Sequence, residues 1–212
     1  LTNRLYSEQQ LINMLNQINE GLLYLQSMNL AHRDIKPQNI LRNKQGILKI
    51  ADFGESKEIK KRQRSHSIKG SELYFSPVVF NAFTMKQLKV IHDPFKSDVY
   101  SLGLIILQAA TLNLDDLFEA REIISNERMH LFLYGKLRKR YSLKFIQLLE
   151  GILNINENEI VLTRSSDEFK NFHGTANANI KNMIEGNEKN LFEDDDDVKA
   201  YYTNWEEEDE YT

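Results

Sequence analysis

His32-Arg33-Asp34-Ile35-Lys36-Pro37-Gln38-Asn39, with Asp52-Phe53-Gly54 beginning thirteen residues beyond Asn39, is the stretch that decides how this chain is read. Either segment alone is short enough to arise by chance. At this spacing the two supply a base, a cation and two oxygen ligands. A loop carboxylate such as Asp34 can orient an incoming hydroxyl and accept its proton. Lys36, two residues on, can point the same way and neutralise charge on a group in transfer. Asn39 and Asp52 offer one neutral and one charged oxygen, hard ligands of the kind that hold Mg2+ through few protein groups plus phosphates. Gly54 is expected to permit the sharp backbone turn that aims Asp52.

Working outward, residues 39–42 and 47–50 read as two short apolar strands. Asn43-Lys44-Gln45-Gly46 forms the turn between them, with Gly46 able to take positive φ. Upstream, Ser7-Glu8-Gln9-Gln10 has the form of a capping box. Leu11, Ile12, Leu15, Ile18, Leu22, Leu23 and Leu25 then recur at helical spacing, so an amphipathic helix to about Met28 delivers the chain into His32. Downstream, residues 55–69 are polar and strongly basic and read as a mobile surface loop. Residues 99–111 form a nearly all-apolar helix, which belongs in the middle of a domain. Further helices are expected over 115–125, 141–153 and 165–169. His66, His92, His130 and His173 read as solvated side chains. Beyond about residue 170 periodicity fades, and the acidic runs 193–197 and 206–210 are expected to be disordered. The fold expected is mainly α: a helical bundle with one small β-hairpin.

Composition narrows the function classes. The 212 residues carry a net charge of −4, but residues 193–212 hold ten acids against one lysine, a net −9, so the remainder carries +5. That body is mildly basic, which suits phosphates. It lacks the basic and aromatic interleaving of a nucleic-acid surface, so no nucleic-acid partner is expected. With no cysteine, disulfides and thiolate metal sites are excluded. The longest apolar stretch falls far short of the ~20 residues of a membrane span. No signal peptide is visible, so no membrane partner and a cytoplasmic location are expected. The chain opens at Leu1 rather than Met, and is expected to start inside a longer protein. The residues say nothing about oligomeric state.

Two further motifs extend the pattern: Gly70-Ser71-Glu72-Leu73-Tyr74-Phe75-Ser76-Pro77 and Asp98-Val99-Tyr100-Ser101-Leu102-Gly103. With them, residues 7 to about 169 resemble the larger, C-terminal lobe of a eukaryotic protein kinase, and Lys36 resembles the serine/threonine branch. The resemblance implies transfer of the γ-phosphoryl group of ATP to a protein Ser or Thr, with Mg2+. Asp34 would be the base and Lys36 the charge stabiliser. Lys36, Asn39, Leu41 and Asp52 would bind the nucleotide, and Asn39 and Asp52 the metal. His32, Phe53 and Gly54 would be structural parts of the two motifs. Ser71 would contact Asp34 and Lys36, and Asp98 would hold the backbone at His32 and Arg33. Arg33 would pair with a phosphorylated loop residue, best matched by Ser67, then Ser65.

Three departures from the family pattern stand out. Only 31 residues precede His32, and they contain no glycine-rich loop and no paired lysine. The reading is therefore a partial kinase domain over 1–170 and an acidic tail over 171–212, inactive by itself without the small lobe. Val78 stands where the family has the Glu that pairs with a late Arg, here Arg164. The stretch from Ser76 to Asp98 is longer than usual, and residues 79–95 are read as including an added helical or loop insertion that contains residues 85–90. The alternative function is a pseudokinase-like interaction or scaffold module that lacks the ATP-binding lobe.

Overall fold

Helix α1, Glu8–Ser27, starts at a reciprocal cap: Gln10 N donates to Ser7 Oγ at 3.3 Å and Ser7 N to Gln10 Oε1 at 2.8 Å. The computed structural model of the chain describes residues 5–60, 64–157 and 160. One face of α1 buries Leu11, Leu15, Ile18, Leu22 and Leu25, each worth about 1.5–3 kcal/mol when fully removed from water. Asn29 then takes a left-handed conformation (φ 55°) and turns the chain into β1, Leu30–Ala31, immediately before His32.

The apolar helix α3, Pro94–Thr111, is the centre of the core. Val99, Tyr100, Leu102, Leu104, Ile106 and Leu107 are all buried. It packs against α1, α4 (Asp115–Glu122) and α6 (Leu143–Ile152). At Gly103 a Cβ would stand 2.7 Å from Ile152 Cγ2, so α3 and α6 approach at a distance only glycine permits. The helix begins five residues before the apolar run suggests. Asp93 is its cap, accepting from Phe95 N at 2.9 Å, with Pro94 in the first turn. Asp98 therefore lies inside the helix rather than at its start.

Helix α5, Asn126–Leu137, has no counterpart in the sequence reading. Its buried residues Met129, Phe132, Leu133 and Leu137 lie at helical spacing, but Leu131 and Tyr134 add apolar surface outside that stripe; Ser125 caps the helix by accepting from Arg128 N. Among the described residues no helix is long and apolar enough to cross a membrane. The expected helix over 165–169, His173 and the acidic runs lie outside the described residues.

Three two-stranded antiparallel ribbons complete the described fold. Strands β2 (Ile40–Arg42) and β3 (Leu48–Ile50) pair with Ile40 opposite Ile50. Gly46 turns between them at φ 83°. Asn39, expected in the first strand, instead ends a 3-10 turn, Pro37–Asn39, that precedes it. The other two ribbons correct the reading of 55–69 as a loop. Strand β4, Lys57–Glu58, pairs with β1. Strand β5, Ser65–Ser67, pairs with β6, Lys89–Ile91, so that His66 faces Val90. The stretch 79–95 has defined structure. It is the end of helix α2, Pro77–Thr84, a turn, and a strand that clasps residues 65–67.

His66 and His92 are not solvated. His66 is 1% exposed, its ring stands edge-on to His92 at 5.4 Å, and His92 Nδ1 lies 2.8 Å from Ser97 Oγ. His130 is also engaged, with Nδ1 2.7 Å from Glu150 Oε1. Burial, with the charges of His66 and Arg33, pushes His92 down to about 4. A histidine held neutral in the fold but free to protonate when unfolded stabilises fully above its ordinary pKa of about 6.5, and that contribution is lost as pH falls toward 4. Urea unfolding at pH 7 and pH 4.5 should therefore differ by about 2–3 kcal/mol from this group. His92→Gln should remove that part of the slope, and an unchanged slope would show that the ring is hydrated.

Candidate active site

The loop that follows β1 is held from beneath by one carboxylate. Asp98 accepts the amides of His32 (Oδ2, 2.7 Å) and Arg33 (Oδ1, 2.7 Å) from a position that is 4% exposed. Burial raises the Asp98 carboxyl to about 7, against the opposing pull of the two amides and of Arg33. These bonds fix Arg33 in a left-handed conformation, φ 69°, which a non-glycine residue adopts only when its surroundings hold it there.

His32 joins the two motifs. Its Nε2 lies 3.0 Å from Ala51 O, and Asp34 N donates to its Nδ1 at 3.3 Å. A carbonyl at one nitrogen and an amide donor at the other are both satisfied by the neutral ring protonated at Nε2. The direction of its pKa agrees: desolvation lowers it, partly offset by the Ala51 bond. The ring also packs edge-on against Phe53 at 5.2 Å. Ala51 N in turn donates to Asn39 O at 2.8 Å. Asn39 and Asp52 are thereby neighbours across the end of the β2–β3 ribbon.

Above this base, three side chains close a triangle. Lys36 Nζ stands 2.7 Å from Asp34 Oδ2 and donates to Ser71 Oγ at 2.9 Å, while Ser71 donates to Asp34 Oδ1 at 2.8 Å. Burial would raise the Asp34 carboxyl, but the bonds from Lys36 and Ser71 outweigh it and hold the group below the usual carboxylate range. Asp34 is thus ionised at neutral pH. The Asn39 amide nitrogen donates to Asp34 O at 2.8 Å and to Asp34 Oδ2 at 3.2 Å. That commitment leaves the amide oxygen to act as a ligand.

The turn at Asp52 departs from expectation. The left-handed residue is Asp52 itself, φ 61°, and Gly54 is not at positive φ. Gly54 N donates to Asp52 Oδ1 at 3.2 Å, and a Cβ on Gly54 would stand 3.2 Å from that oxygen. Glycine here gives the exposed carboxylate room rather than backbone freedom. Among the described residues no three His, Cys, Asp or Glu side chains cluster to hold a metal by themselves. One amide oxygen and one exposed carboxylate suit a hard cation whose remaining ligands are phosphates and water.

Residues 65–77 are anchored at several points. Arg33 Nη2 donates to both the carbonyl and the Oγ of Ser67, each at 3.1 Å, while Ser65 is exposed. Ser101 Oγ donates to Tyr74 O at 2.6 Å, and Tyr74 OH to Gln108 Oε1 at 2.8 Å. Gly70 sits at φ 104°, and a Cβ there would meet Arg33 O at 2.2 Å. Gly70→Ala is expected to cost about 1–3 kcal/mol from the conformation alone, with the clash in addition. Chemical denaturation of the variant against the parent checks this, and an unshifted midpoint would mean that the segment can move away freely.

The sequence reading missed Arg121. It pairs with Glu72 at 3.0 Å and lies over the rings of Phe80 (4.4 Å) and Phe118 (5.2 Å), tying α4 to the 3-10 turn Glu72–Tyr74. No motif signals it, because its partners come from three separate stretches. Val78 is packed against the buried cluster of Phe75, Val79, Ala82 and Val90. Arg164, its expected counterpart, lies outside the described residues.

The family model for the protein kinase domain matches residues 1–167. The chain belongs to the protein kinase family. Serine/threonine-protein kinase 10 of Xenopus tropicalis is 40% identical over 97 residues, 45% of this chain and 10% of that protein. Mitogen-activated protein kinase kinase 7 of Arabidopsis thaliana is 39% identical over 103 residues, 48% of this chain and 32% of that kinase. The dual specificity protein kinase zak2 of Dictyostelium discoideum is 32% identical over 130 residues, 57% of this chain and 19% of the other. The chain thus spans a tenth to a third of the length of these kinases.

Proposed function

We propose that residues 1–170 are the C-terminal lobe of an ATP-dependent protein serine/threonine kinase, with the β2–β3 hairpin between the catalytic loop and Asp52, and that residues 171–212 are an acidic tail. The Asp34–Lys36–Ser71 triangle supports this reading. It holds an ionised carboxylate beside a cation, with a serine hydroxyl standing where a substrate hydroxyl would compete for the same oxygen. In this reading the acceptor oxygen forms a bond to the γ-phosphorus, its proton passes to Asp34, and the bond to the β-phosphate oxygen breaks to release ADP. Lys36 neutralises the equatorial charge, the contribution that positioned cations make to phosphoryl transfer. Asn39 and Asp52 would hold Mg2+, which neutralises phosphate charge when bound. Leu41, exposed on β2, offers an apolar surface for the adenine. Phosphate on Ser67 would strengthen the grip of Arg33.

The scaffold reading draws on Val78, which places a methyl-bearing side chain where the family has a carboxylate. One experiment separates the two. The intact protein is incubated with γ-labelled ATP and a Ser/Thr-containing protein, with and without Mg2+. The kinase reading expects Mg2+-dependent incorporation on Ser or Thr. No incorporation by folded intact protein would leave the scaffold.

A further inference from the structure

Glu72 is the one charged residue between Lys69 and Lys86, and its partner comes from outside the site. Arg121, in the last turn of α4, reaches Glu72 Oε1 through Nη1 at 3.0 Å. Its guanidinium lies over the rings of Phe80 at 4.4 Å and Phe118 at 5.2 Å, and its Nε is buried with no acceptor among the described residues. The two aromatic faces fix the cation in one place, so it is the carboxylate that must come to it. Glu72 cannot move there alone. Tyr74 N donates to Ser71 O at 2.9 Å and Phe75 N to Glu72 O at 3.2 Å, so residues 71–75 turn as one piece. The C-terminal end of that piece is held on α3 through Tyr74. At the N-terminal end the Ser71 hydroxyl bonds to Asp34 and Lys36, and Glu72 is the next residue.

We infer that Arg121 is a positioning residue for phosphoryl transfer: through Glu72 it sets where the Ser71 hydroxyl stands over Asp34 and Lys36. This role rests on the kinase reading of that site. Magnitudes place the effect in position rather than in stability. The Glu72 side chain is 50% exposed, and an ion pair with one partner in water adds little to folding. A displaced catalytic group is costly by comparison, since a misplacement of about 1 Å can lower turnover about 10²-fold. Ser71 bonds to both the base and the cation, so a shift of the turn alters the two together. At the far end of the segment Val78 packs against an apolar cluster and brings no charge. Among the described residues the Arg121–Glu72 pair is therefore the ionic tie between residues 70–78 and the helices.

The test compares Arg121→Met, which keeps a long side chain between the two rings without the charge, with Arg121→Lys, which keeps the charge. Glu72→Gln, at the half-exposed end, cuts the same tie without touching the core. The first readout is the titration of the Asp34 carboxyl in the full chain, followed by NMR of isotopically labelled aspartate. Ser71 is one of the groups that hold this carboxyl below the usual range. Its release should move the titration upward in R121M and E72Q and leave it near the parent in R121K. By field alone, losing a positive charge and losing a negative charge would shift Asp34 in opposite directions, so a common upward shift reports the loss of Ser71. The second readout is phosphoryl transfer by the intact protein: kcat should fall about tenfold in R121M and E72Q, with the KM for nucleotide within about twofold of the parent. The double variant should lose no more than either single one, because the two side chains act as one tie. Equal losses in R121K and R121M, additive losses in the double variant, or a lowered unfolding midpoint with the Asp34 titration unmoved, overturn the proposal and leave Arg121 a packing residue. Transfer by the parent with all variants at parental kcat sinks the tie and spares the kinase reading. An upward titration in R121M and E72Q with no transfer by any of the proteins keeps the tie and sinks the kinase reading.

Discussion

Asp34→Asn in the intact protein is expected to lower kcat by about 10²–10⁴ while nucleotide affinity stays within about twofold, because a positioned base contributes that much to proton transfer. The substitution is nearly isosteric. Asn at 34 can still accept from Ser71, whose hydroxyl now approaches Oδ1 at 2.8 Å. What it loses is the negative charge beside Lys36 and the capacity to take a proton. Steady-state turnover paired with calorimetric titration of the nucleotide separates the two effects. Turnover within tenfold of the parent would remove Asp34 as the base. A parallel loss of nucleotide binding would mean that the substitution had disturbed Asn39, which also bonds to Asp34.

Asp98→Ala is expected to cost about 2–6 kcal/mol of folding free energy. It strips the acceptor from one buried and one part-buried amide, each worth about 1–3 kcal/mol when left unsatisfied. Asp98→Asn keeps one carbonyl oxygen for one of the two amides and should fall between. The effect should be local before it is global: His32 and Arg33 lose the bonds that fix them, and with them go the left-handed turn at Arg33 and the orientation of Asp34. Hydrogen exchange at the amides of His32 and Arg33, read beside the unfolding midpoint, checks this order. An Asp98→Ala protein with parental stability and slow exchange at both amides would show that another acceptor serves them.

How far the residues could be read in advance follows from where their partners sit. The capping box at Ser7 and Gln10 is local, so its four-residue pattern was sufficient, and α1 runs as the spacing of its leucines requires. Gly46 likewise takes the positive φ that its turn demands. The start of α3 was misplaced because the reading followed apolar residues, whereas the cap is Asp93 and the first turn is polar. Helix α5 went unread because Leu131 and Tyr134, off the buried stripe, blur its apolar face. The error at 55–69 is of another kind. Basic, polar residues look like a solvated loop until a strand 22 to 26 residues away pairs with them, and His66 looks solvated until Val90 and His92 cover it.

The motifs by themselves pointed to a chemistry: a carboxylate, a lysine, an amide and a second carboxylate at that spacing are groups suited to phosphoryl transfer. Helical spacing likewise determined that the body is mainly α, since that periodicity is a property of neighbouring residues. The family resemblance already implied that Asp98 holds the loop at His32 and Arg33 and that Ser71 contacts Asp34 and Lys36; only the tertiary structure decided the geometry of those contacts, and that the left-handed residue at the second motif is the aspartate rather than its glycine. The Asp98 and Ser71 contacts depend on groups 35 to 66 residues apart meeting in the fold. No local pattern encodes which distant partner arrives.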